Sequence, residues 1–185
     1  ANSGRIVIEA ENFHRQSVAL YGQNWAPLAD ARFSGSAALQ AQPAGTGSYN
    51  SNYETVSAAL DYRIRFAEAG TYYVWIRGQG IDGSSDSIHV GLNGEPVAAA
   101  KAITWFSPVG QPAWSRYSQS TGGNARIVVP SAGDHTLNLW MRETGFIVDR
   151  VLLTRSSSYA PSGSGPEETQ QIVDGEAPAP QAAKP

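Results

Sequence analysis

Between Leu60 and Phe66 apolar and polar residues alternate without a break. Leu60, Tyr62, Ile64 and Phe66 fall on one side, and Asp61, Arg63 and Arg65 on the other. Successive side chains of an extended strand point to opposite faces, so this order buries one face and wets the other, which a helix with its period of 3.6 cannot do. The alternation recurs. Glu68–Thr71 turns the chain into a second run, Tyr72–Arg77, which reads as an antiparallel neighbour. Ser87–Leu92 reaches Asn93-Gly94, a pair that tolerates positive φ at both centres of a type I′ turn, and returns through Glu95–Ala98 as a hairpin. Ala125–Val129 stops at the turn-rich Pro130–Asp134, His135–Met141 resumes, and Phe146–Thr154 follows Gly145. No stretch sustains a helical apolar period over three turns. The chain is therefore read as all-β, a β-sandwich of two packed antiparallel sheets.

At 185 residues the chain can bury one well-formed core, but not two ordinary domains and a linker. Residues 1–155 carry the alternation and read as the sandwich module. Residues 156–185, rich in Pro, Ala, Ser and Gly, read as an extended tail or linker. A net charge of -3 provides no clustered Lys and Arg for a phosphate backbone, which argues against nucleic acid. With no cysteine, disulfides, thiolate metal sites and a Cys nucleophile are excluded. No apolar run approaches the roughly 18 residues of a membrane span, and Ala1–Gly4 lacks the parts of a secretion signal, so any such signal would already have been removed.

Catalytic signatures fail on context. Gly78–Gly83 fits G-x-G-x-x-G, but a dinucleotide site needs a helix next, whereas Ser84–Ser87 runs into another strand. There is no G-x-S-x-G elbow, H-E-x-x-H or P-loop. His14, His89 and His135 are scattered, and the last two lie within strands, where a lone histidine is usually a hydrogen-bonded structural residue. The chain is read as non-catalytic.

Arg5–Phe13 raises a different question. Ile6, Ile8 and Ala10 alternate as a buried face, while Glu9 and Glu11 project side by side from the other, with their side-chain bases ~7 Å apart. Two carboxylates on one strand are poorly placed to flank a scissile sugar bond from opposite walls. A hard cation such as calcium, which takes six to eight oxygens in irregular geometry, suits them better. Asp149 is the natural third donor, because an acid among Ile147, Val151 and Leu153 is costly unless coordinated or paired. The competing reading leaves the glutamates exposed and pairs Asp149 with an arginine.

Four segments together resemble carbohydrate-binding modules of families 6 and 35: Ile8–Asn12, Ala69–Arg77, Ser131–Leu137 and Ile147–Thr154. The resemblance runs from about Arg5 to Arg155 in matching order. It implies a jelly-roll sandwich attached to a secreted polysaccharide-degrading enzyme. It also implies a structural calcium held by Glu9, Glu11 and Asp149, completed by carbonyls of the turn from Arg32 through Gly35 to Ser36, which ties the first and last strands together.

A sugar site needs an exposed aromatic platform and a few convergent polar groups. Aromatics outside the clear strands are Tyr21, Trp25, Tyr49, Tyr53, Trp105 and Trp114, whereas Trp75 and Trp140 lie within strands and read as core or sheet-face residues. Modules of this resemblance bind glycans in loops at one end of the sandwich, with an early Tyr, a later Trp and an Asn shortly before the terminal Asp. The first implies Tyr49 or Tyr53 and the second Trp105 or Trp114. In place of the third stand Arg142 and Glu143, which suit a charged glycan or pair on a solvated turn. Asp82 and Asp86 could serve a second cation or the glycan. The expectation is an extracellular polysaccharide-binding module with a fused catalytic domain as partner. Its rivals are an adhesive β-sandwich subunit whose C-terminal tail docks on a neighbouring chain, giving self-association, and a small polysaccharide-active enzyme.

Overall fold

A computed structural model describes residues 4–169. In chain order the strands are β1 (Arg5–Glu9), β2 (Arg15–Ser17), β3 (Asn24–Leu28), β4 (Ala38–Gln42), β5 (Ala59–Phe66), β6 (Gly70–Gln79), β7 (Ile88–Leu92), β8 (Glu95–Pro96), β9 (Ile103–Thr104), β10 (Ala113–Ser115), β11 (Tyr117–Ser118), β12 (Gly123–Asn124), β13 (Arg126–Val129), β14 (Gly133–Met141) and β15 (Ile147–Thr154). One helical turn, α1 (Tyr53–Val56), precedes β5. All pairings are antiparallel. One sheet runs β10-β6-β15-β4-β3, with β1 also on β15 and β13 also on β6; the other runs β12-β11-β9-β7-β14-β5-β2, with β8 on β7. The all-β expectation therefore holds, with two sheets packed face to face.

The alternating residues do what their period demands. Leu60, Tyr62, Ile64 and Phe66 of β5 join Leu137 and Leu139 of β14, Val90 of β7, and Val74 and Ile76 of β6 in one continuous core between the sheets. Asn93 and Gly94 both have positive φ, 55° and 81°, so the hairpin joining β7 and β8 forms as read. Gly91 has a separate reason: a Cβ there would collide with the Trp140 ring.

Two departures from simple period two position the regions discussed below. First, β15 shifts register against β6 between Val148 and Arg150. Val148, Val151 and Leu153 face the main core, while Ile147 joins a small outer cluster with Phe33 and Ala38. Asp149 is the residue inserted at this bulge; it lies on the outer side with Ile147, bonded to Ser34 beside Phe33, and not on the core face with Val151 and Leu153 as strict alternation would have it.

Second, the chain does not leave the sandwich at Arg155. Residues 156–169 lie back across the outer face of the β6-β15-β1 sheet as a strap. Arg116 Nη1 donates to the Ser157 carbonyl at 2.9 Å, the Arg5 guanidinium lies 4.5 Å from the Tyr159 ring centroid, and Trp114 Nε1 donates to the Gly163 carbonyl at 3.0 Å. At its end the strap reaches the free edge of β1. The Val7 N–H donates to Thr169 Oγ1 at 2.9 Å, the Thr169 N–H donates to the Val7 carbonyl at 2.9 Å, and the Glu9 N–H donates to Glu168 Oε1 at 2.9 Å. An edge strand otherwise offers unpaired backbone groups, and this segment of the same chain satisfies them. The tail expected from residue 156 is thus part of the sandwich through Thr169; its remainder lies outside the described residues.

Candidate functional site

The carboxylates named from the sequence gather at one sheet edge. Ser34, in the turn after β3, bridges two of them: its Oγ donates to Glu9 Oε2 at 2.8 Å and to Asp149 Oδ2 at 3.1 Å, and its N–H donates to Asp149 Oδ1 at 2.9 Å. Arg77 of β6 ion-pairs with the fully buried Asp149 and also donates to the Arg32 carbonyl at 3.1 Å. Arg150 pairs with Glu9 at 2.9 Å. Burial pushes the carboxyls of Glu9 and Asp149 upward; the Ser34 hydroxyl and then Arg150 oppose it at Glu9, and Arg77 and then Ser34 oppose it at Asp149.

Glu11 is held differently. Its Oε1 accepts the Ser36 N–H at 2.6 Å, the Ser36 hydroxyl at 3.1 Å and the Ala37 N–H at 3.3 Å, while its Oε2 is buried without a hydrogen-bond partner. Gly35, at φ 65°, lets the turn wrap this carboxylate, since a Cβ there would strike Glu11 Oε1. Carboxylates beside a turn that offers carbonyls are the donor types a hard cation takes, and Glu11 Oε2 is a buried oxygen without a partner. Two guanidiniums nonetheless neutralise Asp149 and Glu9. Among the described residues no three acidic, His or Cys side chains form a group that could hold a metal as they stand.

The loop aromatics divide sharply. Tyr49 and Tyr53 are buried, so neither presents a ring face to solvent. The Tyr49 hydroxyl donates to Gln23 Oε1 at 2.5 Å, and Tyr53 stacks on His89 with centroids 3.8 Å apart. Trp25 is also buried, donating from Nε1 to the Ala58 carbonyl at 3.2 Å. Trp114 lies under the strap, packed against Gly165. Trp105 alone of the named loop tryptophans is open: 64% exposed, at φ 69°, with its ring parallel to Tyr117 and the centroids 3.5 Å apart.

A depression of about 240 Å³ is lined by Asn50, Lys101, Ala102, Gln119, Ser120 and Arg142; neither Trp105 nor Tyr117 lines it. Tyr117 pairs with Thr104 across the β9-β11 ladder, and the Gln119 N–H donates to the Ala102 carbonyl at 3.0 Å, which extends that ladder towards the depression. Tyr117 thus stands two residues before Gln119 of the lining, with the buried Ser118 between them. Arg142 donates from Nε to Asn50 Oδ1 at 3.1 Å and from Nη1 to Ser87 Oγ and Glu143 Oε1, both at 2.6 Å. Glu143 accepts at Oε2 from the Asp86 N–H at 2.8 Å and the Ser87 hydroxyl at 2.9 Å, and its burial raises its carboxyl pKa against those bonds and Arg142. Arg142 and Glu143 thus form a half-buried pair at the rim; the turn is not a solvated one. Asp82 caps its own loop, with Oδ1 accepting the Ser84 N–H at 2.8 Å.

Asn50, Lys101, Gln119, Ser120 and Tyr117 were missed in the sequence. The signal for Asn50 was present in the Gly47–Tyr53 loop. The pairing that sets Tyr117 beside Trp105 crosses a loop that no local pattern reveals.

Two packed antiparallel sheets with a small polar depression define a β-sandwich module. The chain belongs to the glycosyl hydrolase family 115 C-terminal domain family, which it matches over residues 1–168. An uncharacterized protein of Formosa agariphila is 32% identical over 127 residues, 65% of this chain and 30% of that protein, so the chain spans less than a third of that relative. Among solved structures, the GH26-CBM35 β-(1,4)-mannanase of Podospora anserina superposes with a TM-score of 0.57 at 16% identity, over 85% of this chain and 29% of that one. A family 35 carbohydrate-binding module of Clostridium thermocellum gives 0.53 at 13% identity, over 82% of this chain and 98% of that module. The module from Paenibacillus barcinonensis gives 0.53 at 18% identity, over 81% and 98%. At these identities the likeness is one of fold, and it is the fold that the four sequence motifs implied.

Proposed function

We propose that this chain is a non-catalytic carbohydrate-binding module of a larger extracellular polysaccharide-degrading protein, and that the glycan lies across Trp105 and the polar depression. The observation that carries this reading is Trp105: a tryptophan 64% exposed and stacked on Tyr117, two residues before Gln119 of the polar depression. A sugar ring has an apolar C–H face that stacks on such a platform and hydroxyls that need partners around it. Asn50, Gln119 and Ser120 supply neutral donors and acceptors. Lys101, whose ammonium lies 5.8 Å from the Tyr53 ring centroid, adds positive charge that the Arg142–Glu143 pair does not offset, which favours polysaccharides bearing carboxylate or sulfate. Binding here would raise the local concentration of an attached catalytic domain at its polymer.

A structural calcium belongs to the same proposal. Glu11, Glu9, Asp149 and the carbonyls of Arg32 and Gly35 would hold it. It would supply positive charge to the orphaned Glu11 Oε2 and share the neutralisation now given by Arg77 and Arg150. The adhesive reading draws no support from the strap, which docks on its own sandwich as far as Thr169.

The test is native affinity electrophoresis against a neutral β-glucan, polygalacturonate, a sulfated galactan and chitosan, with calcium supplied. Retardation by at least one acidic polymer is expected, reduced at least tenfold in Trp105→Ala at an unchanged melting temperature. No retardation by any of the four would overturn the reading.

A further inference from the structure

Beneath the depression lies a buried residue that no sugar could touch, yet it joins both of its walls. His89 of β7 is 0% exposed. One of its ring nitrogens, Nε2, meets the Tyr49 carbonyl at 2.8 Å, and the other, Nδ1, meets the Ala102 N–H at 3.0 Å. A carbonyl can only accept and an amide N–H can only donate, so the partners dictate the tautomer: neutral, with the proton on Nε2. Tyr49 leads directly into Asn50 on one wall, and its own N–H donates to the Arg142 carbonyl at 2.6 Å. Ala102 belongs to the opposite wall, between Lys101 and β9, which ends at Thr104 just before Trp105.

Ala102 is also strained. Its φ of 52° lies in the left-handed region, which is unfavourable for a residue with a Cβ and persists only where neighbours impose it. The bond to His89 and the bond from the Gln119 N–H hold it there. Three residues on, Trp105 is left-handed again at 69°, so the backbone that presents the platform starts from the residue His89 anchors.

We propose that His89 is a positioning residue of the glycan site: its imidazole spans the two walls of the depression, fixes the left-handed Ala102, and thereby sets the distance and angle between Asn50–Arg142 on one side and Lys101, Gln119 and the Trp105 platform on the other. Packing alone would need only an aromatic ring stacked on Tyr53, whereas this role needs one donor and one acceptor at opposite ends of the side chain. The proposal rests on the glycan reading above for its functional consequence and is independent of it for the geometry.

Two variants of the full chain separate these requirements. His89→Phe keeps a ring against Tyr53 and loses both hydrogen bonds, while His89→Gln loses the ring and keeps a donor and an acceptor. Two readouts apply: amide hydrogen exchange at Ala102 by NMR, and retardation in the four-polymer gels. His89→Phe is expected to speed exchange at Ala102 at least tenfold and to weaken retardation at least tenfold, and His89→Gln to recover most of both. A folded His89→Phe with wild-type exchange at Ala102, or a His89→Gln no better than His89→Phe, overturns the proposal. If His89→Phe does not fold, His89→Gln decides alone, with near-wild-type exchange and retardation supporting the role and loss of both refuting it. If the wild-type chain is retarded by none of the polymers, the glycan reading fails while exchange at Ala102 still tests the positioning role.

Discussion

At His89, burial drives the imidazole pKa down to about 4, against the opposing pull of its bond to the Tyr49 carbonyl and with help from the charges of Arg142 and Lys101. Between pH 6.5 and 4 the unfolded chain takes up a proton that the folded chain refuses, so this residue removes stability as pH falls through that window. The loss is about 3 kcal/mol once pH is at or below 4. Glu9, Glu143 and Asp149, whose folded carboxyl pKa values are raised, act in the opposite sense and bind their protons more readily when folded. The His89 contribution can be isolated: its ring resonances should stay in the neutral form from pH 7 to 5, and the acid-side fall in melting temperature should be shallower in His89→Gln than in the wild type. Titration of the ring near pH 6.5 would show that it is not shielded as described. The same scale explains why the sequence does not rank the loop aromatics. Tyr49, Tyr53 and Trp105 look alike in the chain, each a ring in an irregular segment. Which of them keeps a face in water depends on what other segments cover it, and no local pattern carries that information.

At the scale of an element, the strap is the feature most at odds with its composition. Ser156–Pro166 has the residues of a linker, yet its carbonyls serve Arg116, Trp114 and Arg150, and its last two described residues complete the β1 edge. Ending the chain after Arg155 would uncover Trp114 and leave the Val7 and Glu9 N–H groups unpaired, at about 1 kcal/mol for each lost bond plus the apolar cover. Such a truncation is expected to lower the melting temperature by roughly 5–10 °C and to speed amide exchange at Val7 and Glu9. A truncated chain as stable as the full one, with slow exchange at both amides, would show that the strap is incidental. Trp114→Ala should cost about 2 kcal/mol, a stability effect that distinguishes it from Trp105→Ala, whose effect is on binding. Strand existence was legible because alternation is local. The bulge at Asp149 was not, because it is set by pairing with β6, far away in the chain.

For the whole molecule, the edge where β1 meets β15 decides how first and last strands are joined. Three carboxylates, two guanidiniums and a wrapped turn leave one acidic oxygen without a partner. If calcium binds there as proposed, a hundredfold excess over its Kd adds about 3 kcal/mol, or roughly 5–10 °C in melting temperature, reversed by chelator. Glu11→Gln should abolish that increment. A melting temperature indifferent to calcium and chelator would mean that Arg77 and Arg150 suffice.

The sequence by itself determined the all-β character, most strand positions, the Asn93-Gly94 hairpin and the acidic trio, because each rests on side-chain direction or turn chemistry over a few residues. Only the tertiary structure decided that arginines answer two of those acids, that the apparent linker is the last layer of the sandwich, and that Trp105 and Tyr21 stay open while Trp25, Tyr49 and Tyr53 are covered. Those outcomes depend on contacts between residues tens of positions apart, which a strand's own pattern permits but does not specify.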